Sequence, residues 1–334
     1  MSDQDDLEAF LVEQRLAAPG EPQTWTPLSG GISSDIWKVE LPGRTLCVKR
    51  ALAQLRSKAE WKAPEGRNLY EWRWFNTARE VIPDAAPQPL AVDMDRRLLA
   101  MAFLPPADHP LWKAELMAGR VDPDFAGQVG ERLGAIHAAT ARRPELATEF
   151  DSDENFRALR IDAYLLAAAR NQPSVAGPMT ALAERTAATH LAVVHGDASP
   201  KNILCGSGGP VFLDAETAWW GDPAFDAAFC LNHLLLKRLV VPDRREALND
   251  SFSALAAAWT ARIDWEPRAD AEARAASLLP GLLLARVDGK SPVEYVTTDA
   301  QRGLIRRCAF ALLADPPNAL EQVRRAWDQI LTDA

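Results

Sequence analysis

Val193-Val194-His195-Gly196-Asp197-Ala198-Ser199-Pro200-Lys201-Asn202-Ile203-Leu204 is the stretch on which the reading of this chain turns. An Asp is followed five residues later by an Asn, and apolar runs flank the pair. Gly, Asp, Ser, Pro and Asn are turn formers, so the stretch alone is also readable as a surface turn. Phosphoryl transfer asks for the same pattern, because a carboxylate must orient the attacking hydroxyl and oxygen ligands must hold magnesium on the phosphates. The four intervening residues return the chain so that both side chains can face one point. The continuation, Val211-Phe212-Leu213-Asp214-Ala215-Glu216, decides between the two readings. An apolar strand ending in Asp-x-Glu is expected to put both carboxylates on one side, since strand side chains alternate. An isolated Asp-x-Glu would be a solvated strand end. Magnesium is small, hard and oxygen-seeking, and takes one or two protein carboxylates plus phosphate oxygens. Asn202, Asp214 and Glu216 are therefore the candidate metal set.

The rest of the chain is consistent with an enzyme that works on small molecules. Its 334 residues, 48% hydrophobic and 25% charged, are enough for a sizeable core in one large domain or two lobes. No apolar run reaches the ~20 residues that span a bilayer. The opening MSDQDDLEAFLVEQ is acidic and amphipathic, without the basic and apolar regions of a secretion signal. Cys47, Cys205, Cys230 and Cys308 lie far apart and form no CxxC pair, so they read as reduced core residues. A cytoplasmic protein is expected. The net charge of -9 argues against a nucleic-acid groove, which needs concentrated Lys and Arg. It suits solubility first, and a cationic substrate second.

The element pattern divides the chain. A helix around Asp5–Arg15 precedes a connector, Ala18–Pro27. Two strand-like runs, Ile36–Leu41 and Thr45–Lys49, are joined by the turn pair Pro42-Gly43. Arg67–Val81 reads as a helix with Leu69, Trp72, Phe75 and Ala78 on one face. Leu98–Leu104 reads as a buried strand stopped by Pro105-Pro106. Beyond that point Ala/Leu-rich helices dominate: Phe125–Thr140, Ile161–Arg170, Met179–Thr189, Phe225–Leu239, Arg245–Ile263, Ala271–Leu284 (kinked at Pro280) and Gln301–Leu313. Only Leu191–Val194 and Val211–Leu213 are β-like there. The expectation is a helical extension over residues 1–24, a strand-rich lobe over 25–105, and a helical lobe over 106–334, with a ligand cleft between the lobes.

His195-Gly196-Asp197-x4-Asn202, Leu213-Asp214-x-Glu216 and Gly221-Asp222-Pro223-x-Phe225-Asp226 together resemble the aminoglycoside phosphotransferase / choline kinase superfamily. The Asp-x-Glu form is more similar to choline kinases and methylthioribose kinases than to aminoglycoside enzymes. The resemblance covers residues ~25 to ~310. It implies an α+β, protein-kinase-like fold with a small antiparallel-sheet lobe and a large helical lobe. It implies Asp197 as catalytic base, Asn202 and Asp214 as magnesium ligands with Glu216 as a further one, and Asp226 as the acceptor that braces the catalytic loop. An Asp in a helix's first turn also meets the helix dipole favourably, whatever else it does. His195 would pack beneath the loop in a structural role.

The resemblance extends to the N-terminal half. Lys49, after the apolar Leu46-Cys47-Val48, stands where kinase-like enzymes have their phosphate-binding lysine. Its acidic partner is expected to be Glu71, 16 residues before Pro87, a spacing similar to that of methylthioribose kinases; Glu65 and Glu80 are the rivals. Leu28–Asp35 stands in the place of the phosphate-covering loop. There Gly30 and Gly31 would let backbone approach the phosphates, and Ser29, Ser33 and Ser34 would add donors. Backbone groups of Met101, Ala102 and Phe103 would pair with adenine.

On the substrate side, Trp219 and Trp220 would form an aromatic wall or else pack in the core. Arg286 would reach toward substrate, or simply suit a helix C-terminus. The expected reaction is transfer of the ATP γ-phosphate, with Mg2+, to a small-molecule alcohol. A methylthioribose-like sugar leads, and an aminoglycoside or an amino alcohol follows. A nucleotide-binding pseudokinase and a peptide kinase are the alternatives; the latter lacks Asp-Phe-Gly and Ala-Pro-Glu segments. No nucleic acid or membrane is expected as partner, and a homodimer is compatible with the sequence.

Overall fold

A computed structural model describes residues 3–28, 34–52 and 66–333. Helix α1 (Asp3–Glu13) leads into a sheet of β1 (Thr24–Pro27), β2 (Ser34–Leu41), β3 (Arg44–Ala51), β4 (Pro89–Asp93) and β5 (Leu98–Ala102). The sheet is antiparallel in the order β1-β2-β3-β5-β4. Pro42-Gly43 makes the β2–β3 turn, with Gly43 at φ +77°, a conformation open to glycine without cost. β1 falls inside the expected connector. Its Trp25 sits edge-on to Trp37 at 6.2 Å, a contact that anchors a short edge strand. The segment set apart as an extension buries Leu7, Phe10 and Leu11 against Val39, Val48, Leu98 and Ala100, so it belongs to the core of this lobe.

Helix α2 (Arg67–Val81) crosses behind the sheet with the expected bounds but a different inner face. Arg67, Glu71, Trp74, Phe75 and Ala78 are buried, whereas Leu69 and Trp72 are half-buried. Apolar periodicity misjudged the rotation because two charged residues face inward, each with an ionic partner.

The larger lobe is helical: α3 (Trp112–Met117), α4 (Pro123–Ala141), α5 (Leu146–Glu149) and α6 (Asp153–Phe156), which passes through a π-helical stretch (Arg157–Leu166) into α7 (Ala167–Asn171). After α8 (Ala176–Ala188) come four short strands, β6 (Ala192–Val194), β7 (Ile203–Gly206), β8 (Gly209–Phe212) and β9 (Trp219–Gly221). They pair as β6–β9 and β7–β8, both antiparallel. Helices α9 (Pro223–Lys237), α10 (Arg245–Arg262), α11 (Arg268–Asp288, running through Pro280), α12 (Asp299–Ala314) and α13 (Leu320–Thr332) complete the lobe. The fold is α+β, a small antiparallel-sheet lobe joined to a mostly helical one.

Helix α9 is the axis of this lobe, with every residue buried. Asp222 caps it by accepting from the Ala224 N–H at 3.0 Å, with Pro223 at the first helical position. Helices α4 and α10 pack closely enough that a Cβ on Gly130 would lie 2.2 Å from the Leu255 carbonyl oxygen. This packing fixes α4 and α9 behind β6, and they hold the loop that follows it. No helix among the described residues is long and apolar enough to cross a membrane.

Candidate active site

The loop between β6 and β7 carries His195, Asp197 and Asn202. It is held from behind by Asp226 on the first turn of α9. The Asp226 carboxylate accepts from the backbone N–H of His195 at 2.7 Å and of Gly196 at 2.8 Å, and from His137 Nε2 at 3.1 Å. The Trp259 indole N–H donates to His137 Nδ1 at 3.2 Å, so the proton of a neutral His137 lies on Nε2 and points at Asp226. Burial pushes Asp226 up, but His137 and the loop N–H groups outweigh it and hold the carboxyl below its ordinary value. Gly196 has φ +75°, and a Cβ there would lie 2.4 Å from the Thr217 carbonyl oxygen, so only glycine fits. His195 is fully buried; its Nδ1 accepts from the Asp197 N–H at 3.1 Å and its Nε2 donates to the Leu213 carbonyl at 3.0 Å. Burial lowers its pKa, so it stays neutral and ties the two motif segments together.

Asp197 is the most asymmetrically bonded carboxylate in the site. Its Oδ2 accepts from Asn202 Nδ2 at 2.8 Å, Lys201 Nζ at 2.9 Å and Arg160 Nη2 at 3.0 Å. Its Oδ1 is buried and has no hydrogen-bond partner among the described residues. Burial would raise the Asp197 pKa, but Arg160 and Lys201 more than offset it, and the group is held ionised below its ordinary value. Arg160 comes from the π-helical stretch and also donates to the Gly196 carbonyl at 2.5 Å.

Lys49 on β3 reaches Glu71 at 2.7 Å, Asp214 at 2.5 Å and Glu216 at 3.9 Å. Burial works against its ammonium, yet Asp214, Glu71 and Glu216 together raise its pKa and keep it charged. Asp214 moves the opposite way: burial opposes ionisation, but Lys49 and Lys201 hold the carboxyl far below the usual range. Of the three acids weighed as the lysine's partner, Glu71 makes the contact, Glu80 pairs with Arg143 at 2.8 Å, and Glu65 lies outside the described residues.

Asp214 and Glu216 do not follow the expected strand geometry. β8 ends at Phe212, and Asp214 adopts φ +61°, so strand alternation does not place the two carboxylates. They converge because both are drawn to cations. Glu216 accepts from Arg67 Nε at 3.0 Å, and Arg67, fully buried, also donates to the Leu52 carbonyl at 2.7 Å.

Asn202 and Asp214 flank the β7–β8 hairpin, joined by the Leu213 N–H donating to the Asn202 carbonyl at 2.8 Å. With its amide nitrogen spent on Asp197, Asn202 keeps its side-chain oxygen for a ligand. A carboxylate and an amide oxygen side by side form a hard-oxygen donor set that fits magnesium. Glu216 is instead placed as the counter-ion of Arg67.

The remaining sequence candidates are placed as follows. Ser29, Gly30, Gly31 and Ser33 lie outside the described residues, and Ser34 opens β2 with a buried hydroxyl that has no hydrogen-bond partner among the described residues. Met101 and Ala102 belong to β5, and the Ala102 N–H already donates to the Gln88 carbonyl at 2.8 Å. That donor is not free for adenine; Phe103, just past the strand, has the Lys38 ammonium 5.6 Å from its ring. Trp219 is no substrate wall: it is 1% exposed and stacked on Phe156 at 4.0 Å. Trp220, half-buried, packs against the same core. Arg286 is buried and donates to the Tyr164 hydroxyl at 2.9 Å and the Ser291 carbonyl at 2.5 Å.

Sequence reasoning missed Arg67, His137 and Arg160. Each lies within a helical pattern, and only the fold brings it to the site.

Comparison with known proteins bears on the whole arrangement. Residues 24–270 match the sequence profile of the phosphotransferase enzyme family. A methylthioribose kinase of Yersinia enterocolitica is 27% identical over 223 residues, covering 58% of this chain and 55% of that protein. The same enzyme of Yersinia pseudotuberculosis gives 27% identity over 223 residues, 58% of this chain and 54% of that one. The chain thus spans about half the length of the curated relatives it matches. Among solved structures, amicoumacin kinase hAmiN in complex with AMP-PNP, Ca2+ and Ami aligns with a TM-score of 0.58 at 13% identity, covering 97% of both chains. An ethanolamine kinase of Plasmodium vivax aligns with a TM-score of 0.52 at 11% identity, covering 97% of this chain and 86% of the other. These likenesses establish the fold.

Proposed function

We propose that this chain, which belongs to the phosphotransferase enzyme family, transfers the γ-phosphate of ATP to a hydroxyl of a small sugar-like molecule, with magnesium as cofactor. The observation that carries the reading is the single unpartnered oxygen of Asp197. Three donors occupy Oδ2, while Oδ1 is buried and unbonded among the described residues. A buried acceptor without a partner costs free energy unless a ligand donates to it, and a substrate hydroxyl is such a donor.

In this reading Asp197 Oδ1 accepts the hydrogen bond of the attacking hydroxyl, aligns the oxygen with the phosphorus, and takes the proton as the new P–O bond forms. A low-pKa carboxylate suits the task, because a loose transition state develops little charge on the nucleophile and needs orientation more than basicity. Arg160 and Lys201 keep it ionised and fix its plane. Asp226 fixes the loop backbone, and so the depth at which Asp197 sits. Lys49, positioned by Glu71, holds the phosphates. Magnesium, held by Asn202 Oδ1 and Asp214, would neutralise charge on the phosphate oxygens. A sugar-like acceptor of the methylthioribose kind is favoured by the relatives matched.

The test is coupled ADP release across a panel of sugars, polyols and amino alcohols, alongside thermal unfolding with and without MgATP. Ligand at about 100 times its dissociation constant adds ~2.7 kcal/mol, a shift of several degrees. Absence of that shift would contradict the proposal at its first step.

A further inference from the structure

Beyond Arg160 and Lys201, which hold Asp197, the larger lobe has cations that the transfer chemistry does not use, among them Lys113, Lys237 and Arg286. Phe229, His233 and Lys237 recur every fourth residue of α9 and so line one face over about two turns, ~12 Å. At its start, the Arg160 guanidinium lies 5.7 Å from the Phe229 ring and 5.4 Å from that of Tyr164. Arg286 covers the same Tyr164 ring at 5.3 Å. Further on, His233 Nδ1 meets the Tyr295 hydroxyl at 3.1 Å, and the Lys237 ammonium sits 4.9 Å from the Tyr295 ring. Lys113, on α3, pairs with Glu294.

The charges do not balance. Arg160 and Lys201 are matched by Asp197, with Asp214 also acting on both, and Lys113 by Glu294, but Lys237 and Arg286 have no ion pair among the described residues. The ammonium of Lys237, a residue 1% exposed, has no hydrogen bond or ion pair among the described residues and lies against the Tyr295 ring. His233 Nε2 and Arg286 Nε are also buried without hydrogen-bond partners among the described residues. Burial first, and then Lys113, draw the Lys237 pKa down to about 7, while burial and the neighbouring cations push His233 well below its ordinary value. An uncompensated buried charge is costly and buried charges are normally paired, so a counter-ion bound here would relieve that cost.

We infer that the acceptor carries an acidic group, a carboxylate or a phosphate ester, bound by Lys237, Arg286 and His233 along the strip that begins at Arg160, the partner of Asp197. The inference rests on the proposed phosphotransfer reading and narrows it. Cationic acceptors, amino alcohols and aminoglycosides alike, would meet like charge along the whole strip. The net charge of -9, which suits solubility first and a cationic substrate second, is a sum over the whole chain and does not describe this strip.

The test uses the full chain saturated with MgADP, so that the nucleotide phosphate site is filled. Thermal unfolding is followed during titration with inorganic phosphate and, in a parallel arm, with acetate, each against sodium chloride at matched ionic strength. Expected is a saturable stabilisation in at least one arm, weakened tenfold or more in Lys237→Met and in Arg286→Met. The responding arm identifies the acidic group as phosphate or carboxylate. No saturable shift, or one undiminished in both variants, overturns the inference, since an anion in the γ-phosphate position would not need Lys237. Turnover of a matched pair, an aldonate and its alditol, gives a second readout; preference for the alditol also overturns it. Failure of the underlying reading looks different: MgADP itself would then give no shift in wild type.

Discussion

Lys49 and Asp214, 165 positions apart in sequence, meet with 2.5 Å between Nζ and Oδ1. One comes from the sheet lobe and the other from the turn after β8, so this contact ties the two halves of the site together. Glu71 holds the same ammonium from α2 at 2.7 Å. For both carboxylates the lysine opposes the burial that favours their neutral forms.

Lys49→Met is therefore expected to act twice. Breaking a buried pair by removing one partner typically costs ~3–5 kcal/mol, because the remaining charges are left uncompensated. The thermal shift given by MgADP should also weaken by tenfold or more in apparent affinity. A variant that is as stable as wild type and binds MgADP equally well would remove Lys49 from the nucleotide site.

Asp226→Asn keeps size and one acceptor oxygen but loses the charge that receives two loop N–H groups and His137. Turnover is expected to fall by about two orders of magnitude or more, with the KM for ATP changed only a few fold, since Lys49 and Glu71 are untouched. Equal losses in turnover and nucleotide affinity would mean that the loop does not act as a separate unit.

Lys237 gives a pH dependence with a definite sign. Its folded-state pKa of about 7 lies below the ordinary 10.5, so between those values the unfolded chain binds the extra proton. Stability from this group accordingly rises with pH across that window. Lys237→Met should be more stable than wild type at pH 7, with an advantage that shrinks toward pH 9. Denaturant unfolding of both proteins at the two pH values checks it; an advantage independent of pH would contradict it.

Trp219, stacked on Phe156 in the core, is expected to matter for folding alone. Trp219→Ala should cost about 3–5 kcal/mol. Trp219→Phe should preserve the KM for the acceptor, and a raised acceptor KM in the Phe variant would return Trp219 to the substrate wall.

Much of the site was legible because it is encoded in short, locally ordered segments. Asp197, Asn202 and Asp214 come from one hairpin and its approach, and Lys49 from a strand whose register follows from Pro42-Gly43. The fold class followed from the contrast between a strand-rich first third and Ala/Leu-rich helices after Pro105-Pro106. What could not be read is burial of charge. Arg67 and Glu71 turned α2 away from its apolar face, and Arg160 sits in a π-helical stretch that no periodicity suggested. His233 and Lys237, four apart on an apolar helix, pass in sequence for solvated ends. They become informative only once α9 is seen to be enclosed on every side. Alternation failed at Asp214 because ionic attraction to Lys49, with φ +61°, replaced the strand geometry assumed there.

The most direct measurement compares wild type with Asp197→Asn in coupled ADP release with an accepted substrate, with MgATP binding measured on both by thermal shift. Expected is a loss of turnover by about three orders of magnitude or more in the variant, with the MgATP-induced shift retained. Turnover within tenfold of wild type would contradict a role for Asp197 Oδ1 in orienting the hydroxyl, and with it the phosphotransfer mechanism set out above.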